Sequence, residues 1–219
     1  MLPLTGSAAR VISGFVMGVL RKLFGHRREE VWRELCRQIG GDFVGGGFWR
    51  GDKVRAHVDE WTVTLDTYTV STGKVTVVYT RLRAPYVNRD GFRFVVYRRT
   101  AFSGLGKLLG MQDIEVGYSD FDRDLIIKGN DEVKLRALFA NERIRTLLAA
   151  QPDIHMSVKD DEGWFGATFP EGVDELNFQV HGVITDVARL KALYDLFGEV
   201  LHQLCHIGSA YENDPGLVL

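Results

Sequence analysis

The chain contains few of the residues that mark specialised protein classes. Only two of its 219 residues are cysteines, Cys36 and Cys205, and they lie in separate helical patterns. Neither a disulfide framework nor a cysteine-based zinc motif is therefore predicted, and a reducing cytoplasm is the expected location. The formal net charge is only -2, which gives no overall bias toward nucleic acid or acidic lipid.

Sequence motifs of the common enzyme classes are also missing. The glycine-rich run from Gly41 to Asp52 lacks the Lys and Ser or Thr of a phosphate-binding loop, and a dinucleotide fingerprint starting at Gly45 would end in Arg50. Turn and bulge glycines explain this run better. The sequence therefore indicates no catalytic residue and no cofactor. A non-enzymatic binding or assembly domain ranks first, ahead of a membrane-associated protein and of an enzyme that uses Asp and His residues.

The composition is ordinary for a globular protein, with 45% hydrophobic and 26% charged residues. Between Lys53 and Arg99, apolar residues recur with period two, which predicts three strands. Turn residues at Ser71–Gly73 and Asn88–Gly91 predict hairpins that would join them into an antiparallel meander. Three further strands are predicted at Ile154–Lys159, Trp164–Phe169 and Glu175–Ile184.

Helical periodicity predicts helices near residues 29–40, 131–150 and 186–207, and Asn141 is predicted to restart a helix within the second range. The expected fold class is α+β, with mainly antiparallel sheet covered by amphipathic helices and a long C-terminal helix. We divide the chain into an apolar and basic segment, 1–28, and an α+β domain, 29–219. Two similar halves, 29–130 and 131–219, and one continuous sheet are both compatible with the pattern.

Acidic residues alternate near the middle of the chain, at Asp120, Asp122 and Asp124. A calcium loop would need glycine where Leu125 stands and glutamate where Asp131 stands, so turn and edge carboxylates are the preferred interpretation. The alternation predicts a strand entering the core from Phe121 to Ile127. Asn130 is the predicted N-cap of the following helix.

The stretch FDRDLIIKGNDEVKLRALFANERIRTLL, Phe121–Leu148, resembles a pattern found in bacterial domains of unknown function. In that pattern a Phe-Asp strand leads to a helix that ends in an Ile-Arg and a Leu-Leu pair. The resemblance implies a bacterial cytoplasmic protein and carries no activity with it.

The segment from Tyr79 to Thr100 contains six arginines and one aspartate. One interpretation is a surface that binds anions or single-stranded nucleic acid, with Arg81, Arg83 and Arg93 as the anion-binding candidates. The other is a solvated sheet face paired with acids between Asp113 and Asp124. No RNA-binding signature is present, so sequence-specific nucleic-acid recognition is not expected.

On the last predicted helix, Glu199, His202 and His206 project from one side together with Asp195. The Glu-x-x-His spacing occurs in metal-binding bundles, which makes Glu199, His202 and His206 metal-ligand candidates. Such a bundle needs matching ligands from other helices, and no second Glu-x-x-His occurs in the sequence. A solvated or partner-facing stripe is the preferred interpretation.

The apolar run Val11–Leu20 is followed by basic residues and is too short to span a bilayer. Three interpretations remain open: a helix packed on the core or on a partner, an interfacial helix on an anionic membrane, and a helix-pairing surface through Gly14 and Gly18. The expected partner is another protein or a second copy, and the location is cytoplasmic or peripheral to the membrane. The predicted contact residues are Val11, Phe15, Val16, Val19, Leu20, Leu23 and Phe24.

Overall fold

The computed structural model describes residues 27–46, 51–71, 73, 75–99, 112–160, 169–217 and 219. Within these ranges, nine strands form one antiparallel sheet, and five helices pack against one of its faces. The predicted α+β class with a mainly antiparallel sheet and a long C-terminal helix is confirmed. Five residues of the strand predicted at Trp164–Phe169 lie outside the described ranges.

The helices are α1 (27–39), α2 (Ser119–Asp124), α3 (Glu132–Phe139), α4 (Glu142–Ala149) and α5 (Val187–His206). The strands are β1 (Asp42–Val44), β2 (Lys53–Val58), β3 (Trp61–Ser71), β4 (Thr76–Val87), β5 (Phe94–Arg98), β6 (Gln112–Asp113), β7 (Leu125–Gly129), β8 (His155–Lys159) and β9 (Val173–His181).

From edge to edge, the strand order is β1-β2-β3-β4-β9-β8-β5-β7-β6. Strands β3 and β4 form the first hairpin of the predicted meander, and β2 pairs with the other edge of β3. Strand β5 does not continue the meander, because β9 lies beside β4. The predicted hairpin at Asn88–Gly91 is therefore wrong. Asn88 Oδ1 accepts hydrogen bonds from the N–H groups of Asp90 and Gly91, and this turn directs β5 away from β4 to pair with β8 and β7.

The register aligns one apolar position from each of eight neighbouring strands. The aligned residues are Phe43, Val54, Leu65, Leu82, Phe178, Met156, Val96 and Ile127. All of them except Phe43 are at most 2% exposed. Because side chains alternate along a strand, this row defines the apolar face, and the neighbouring positions point to the opposite face.

The helices bury their apolar sides on the apolar face. Trp32 and Leu35 of α1 are fully buried in the core, and α5 contributes the longest apolar stripe. Helix α5 starts after Asp186, whose side chain accepts from the Arg189 N–H, and ends before Gly208, which has a φ of +78°. The predicted helix at 186–207 is confirmed. No helix among the described residues is long and apolar enough to cross a bilayer.

Two local predictions are wrong around the middle of the chain. Residues 119–124 form helix α2 rather than a strand, because the Asp122 carboxylate accepts the N–H groups of Val116, Gly117 and Tyr118, each at 2.9 Å. Asp131 caps α3, and Asn130 instead accepts from the Arg93 N–H. The predicted restart of the helix at Asn141 is confirmed: residues 131–150 form α3 and α4, and Asn141 caps α4.

Candidate functional site

The sheet face opposite the helices carries polar side chains at its centre, and we call it the polar face. Across five strands, the register places Arg55, Thr64, Arg83, Asn177 and Ser157 in one row. The last four are at most 6% exposed. The polar face comprises Arg55, Thr64, Asp66, Arg81, Arg83, His155, Ser157, Glu175, Asn177 and Gln179.

Asp66 is the centre of the strongest ion-pair cluster on the polar face. Arg81 donates to both of its carboxylate oxygens, at 2.9 and 3.0 Å, and Arg83 Nη2 donates to Asp66 Oδ2 at 2.6 Å. Burial acts to raise the pKa of Asp66, but the hydrogen bonds and charges of Arg81 and Arg83 outweigh burial and lower the pKa. Burial also lowers the pKa of Arg83, yet a guanidinium stays charged in proteins. The cluster is therefore ionised.

Glu175 and its neighbours form a second, less completely bonded part of the polar face. Asn177 Nδ2 donates to Glu175 Oε1 at 2.8 Å, while Arg83 Nη1 lies 3.8 Å from Glu175 Oε2. Burial raises the pKa of Glu175. Within the described residues, Glu175 Oε2, Asn177 Oδ1 and Ser157 Oγ are buried without hydrogen-bond partners. A buried polar atom without a partner is costly, so these three atoms lower the stability of the fold.

His155 adds a buried titratable group to the same face. It is 7% exposed and its ring stacks near Tyr97, with the ring centres 6.2 Å apart. Burial, together with the charge of Lys159, lowers the pKa of His155 to about 4. The imidazole is therefore neutral at pH 7.

An aromatic row borders the polar face where it becomes more exposed. Tyr68, Tyr79 and His181 are aligned across β3, β4 and β9. The rings of Tyr68 and Tyr79 are stacked with centres 5.2 Å apart, and the Arg81 guanidinium lies 5.0 Å from the Tyr68 ring centre. Tyr68 Oη donates to Gln179 at 2.8 Å, so these side chains are fixed by one another.

The three arginines proposed to bind anions do not form one group. Arg81 and Arg83 share Asp66, whereas Arg93 pairs with Asp160 at 2.7 Å and with Asp174 at 3.3 Å. The expected pairing with the acids of 113–124 is wrong for all three, whereas Arg98 of the same segment lies 3.9 Å from Asp124. For Arg81 and Arg83 the reason is the strand order, which places β3 and β9 beside the arginines of β4.

The metal-ligand candidates on α5 contact residues from other elements. Glu199 accepts from Arg143 Nε at 2.8 Å, and His202 Nε2 lies 2.7 Å from Asp59 Oδ2. His206 is exposed and lies beside Cys205, whose pKa is raised to about 11 by burial and by Glu212. No group of three metal-ligating side chains occurs in the part of the chain that the structure describes.

The alternating aspartates have local structural contacts. Asp122 fastens the loop before α2, and Arg123 pairs with Asp120 at 2.9 Å and with Asp124 at 3.0 Å. The predicted partner-binding residues, Val11 to Phe24, lie outside the described residues. Arg28 marks where that segment meets the domain: it pairs with Asp52 at 2.5 Å and donates to Thr67 at 3.3 Å.

Sequence reasoning missed several members of the polar face, namely Asp66, His155, Glu175, Asn177 and Ser157. A signal was present, because Glu175, Asn177 and Gln179 alternate with the buried Leu176 and Phe178 along β9. Which arginine meets which acid depends on the order of strands, and that order is set by contacts between distant segments.

Comparisons with known proteins give one likeness of overall shape. No protein-family model and no curated protein matches the chain. Among solved structures, the chain is similar to the mycobacterial trehalose monomycolate transport factor A, TtfA, with a TM-score of 0.47 and 10% sequence identity. The match covers 82% of this chain and 94% of that chain.

Proposed function

We propose that this chain is a non-enzymatic binding or assembly domain that associates with a protein partner or a second copy through residues 11–24. The observation that carries the proposal is the apolar character of that segment. Val11, Phe15 and Val19 recur at helical spacing, and Val16, Leu20, Leu23 and Phe24 widen the apolar surface. Burying about ten such side chains contributes more than about 10 kcal/mol gross, although ordering the segment offsets much of this.

The position of Arg28 supports the proposal. Its guanidinium is paired with Asp52 and lies 5.1 Å from the ring centre of the fully buried Trp32. The chain is therefore anchored four residues after Phe24.

The pairing of charged residues supports binding rather than catalysis. Asp66, Glu199 and His202 each contact a side chain from another element, so these groups already have partners within the fold. A catalytic acid or base needs a pKa near the working pH and access to substrate. His155 is neutral but buried, and Asp66 is held ionised by two arginines.

The test is the association state of the full chain and of a Phe15→Glu/Val19→Glu variant, measured by light scattering coupled to size exclusion. We expect the parent to form oligomers or to capture a partner, and the variant to be monomeric with an unchanged circular dichroism spectrum. Val133→Glu is the matched control, because Val133 is 77% exposed on α3. Unchanged association would contradict the proposal, and an unfolded variant would place the segment in the core.

The alternative function is association with a membrane surface. It is favoured by Arg21, Lys22 and Arg27, which follow the apolar run and would meet anionic headgroups. Sedimentation with vesicles that contain phosphatidylserine, but not with purely zwitterionic vesicles, would favour this alternative. Loss of sedimentation in high salt would show the expected electrostatic component.

A further inference from the structure

A pocket of about 550 Å³ lies between α2 and α4, at the end of β5. This volume is in the range of small-molecule sites. Its lower wall includes Phe121 and Leu125, which are 7% and 2% exposed, and its rim includes Tyr118, Glu142 and Arg145. The pocket therefore combines apolar wall residues with a charged rim, on a different part of the molecule from the polar face.

Arg145 is held in a fixed orientation at this rim. Its Nη1 donates to the main-chain carbonyls of Phe139 and Ala140, at 2.5 and 2.9 Å. The guanidinium carbon lies 3.6 Å from the centre of the Tyr118 ring. None of the ion pairs between described residues involves Arg145. A guanidinium fixed in this way loses little freedom on binding a carboxylate.

The other charges at the pocket have partners, with one exception. Arg98 donates to the carbonyls of Ala149 and Gln151, and Arg123 pairs with Asp120 and Asp124. The exception is Glu142, which is exposed in the first turn of α4 and has no ion-pair partner among the described residues. Glu142 and Arg145 are three residues apart, so they are neighbours on one side of the helix.

We propose that this pocket binds a small zwitterion with an apolar body, the chemistry of a free α-amino acid with a large apolar side chain. Arg145 binds the carboxylate, and Glu142 binds the ammonium group one helical turn away. Phe121 and Leu125 contact the apolar side chain. The unpaired rim charges balance each other, which favours a ligand that carries both signs over a simple anion or cation.

The test uses L-phenylalanine with two comparators that each lack one charge, 3-phenylpropionate and 2-phenylethylamine. Binding is followed by NMR shifts of pocket resonances in the full chain. We expect L-phenylalanine to bind with a dissociation constant of roughly a millimolar, and each comparator to bind about tenfold more weakly. Equal binding of all three, or no shifts with L-phenylalanine, would overturn the proposal without any substitution.

Two variants test the assigned roles. Arg145→Gln is expected to weaken the binding of L-phenylalanine about tenfold and to leave the binding of 2-phenylethylamine unchanged. Glu142→Gln is expected to weaken the binding of L-phenylalanine about tenfold and to leave the binding of 3-phenylpropionate unchanged. Arg37→Gln, an exposed position on α1 that does not line the pocket, is the matched control. Arg145 also donates hydrogen bonds to the carbonyls of Phe139 and Ala140, so Arg145→Gln could fail to fold. In that case Glu142→Gln still tests the proposal. Glu142→Gln with unaltered selectivity would contradict the assignment.

Discussion

The two faces of the same strands are both buried at the centre of the sheet, but they are stabilised by different interactions. On the apolar face, Leu82 and Phe178 are cross-strand neighbours with no exposed surface. One register position away, Arg83 and Asn177 are neighbours with 3% and 0% exposure. Burial itself stabilises the first pair, whereas the second pair is stable only when its polar groups are bonded. The two faces should therefore respond differently to similar substitutions.

The largest effect is expected on the apolar face. Phe178→Ala should lower the free energy of unfolding by about 4 kcal/mol, because it removes a fully buried ring at the centre of the aligned row. Urea denaturation measures the change. Phe43→Ala, at the sheet edge and half-buried, is the control and should cost about 1 kcal/mol. Equal losses at both positions would mean that the centre of the row is not more tightly packed than its edge.

The next effect is expected at Asp66. Asp66→Asn leaves Arg81 and Arg83 without their shared carboxylate, so it should cost about 3 kcal/mol. Arg83→Met should cost about half as much, since Asp66 keeps its two hydrogen bonds to Arg81. Urea denaturation at pH 7 compares the two variants. A larger loss of unfolding free energy in Arg83→Met than in Asp66→Asn would show that the contact of Arg83 with Glu175 contributes more to stability than its contact with Asp66.

The sequence predicts which residues share a face of the sheet better than it predicts which strands pair. Alternation along β4 correctly places Tyr79, Arg81 and Arg83 on one side, because side-chain direction depends only on the strand itself. The same pattern assigns β5 to the wrong neighbour, because pairing depends on β9, about ninety residues later in the chain. Strand identity is local information and strand order is not.

The candidate sites show the same limit. Asp186 and Asn141 are identifiable helix caps because a cap bonds to amides two or three residues away. The hydrogen bonds from the loop before α2 to Asp122 are not identifiable in this way, since three aspartates at alternate positions have the period of a strand. The pocket at Arg145 combines α2, α4 and β5, and no sequence spacing relates those elements.

His155 gives the polar face a dependence on pH that the apolar face lacks. Its pKa falls from 6.5 to about 4 on folding, so the unfolded chain takes up a proton more readily. Stability should therefore be complete above about pH 6.5 and decline by up to about 3 kcal/mol as pH falls to about 4. In His155→Gln, this part of the decrease in unfolding free energy at acidic pH should be absent. Urea midpoints of both proteins across this range measure the difference, and parallel curves would contradict the assignment.

The smallest effect is expected where a contact between polar side chains is exposed rather than buried. His202 and Asp59 are 2.7 Å apart, similar to Arg83 and Asp66, but their side chains are 47% and 60% exposed against 3% and 7%. Water competes with the exposed contact, so a double-mutant cycle with Asp59→Asn and His202→Gln should give a coupling below about 1 kcal/mol. Asp59→Gly should be close to neutral, because glycine relieves the positive φ of 50° that Asp59 adopts in the β2–β3 turn. A coupling above about 2 kcal/mol would mean that this contact between the turn and α5 is as strong as those of the buried Asp66 cluster. The structural cause would then be Trp61, which packs edge-on against His202.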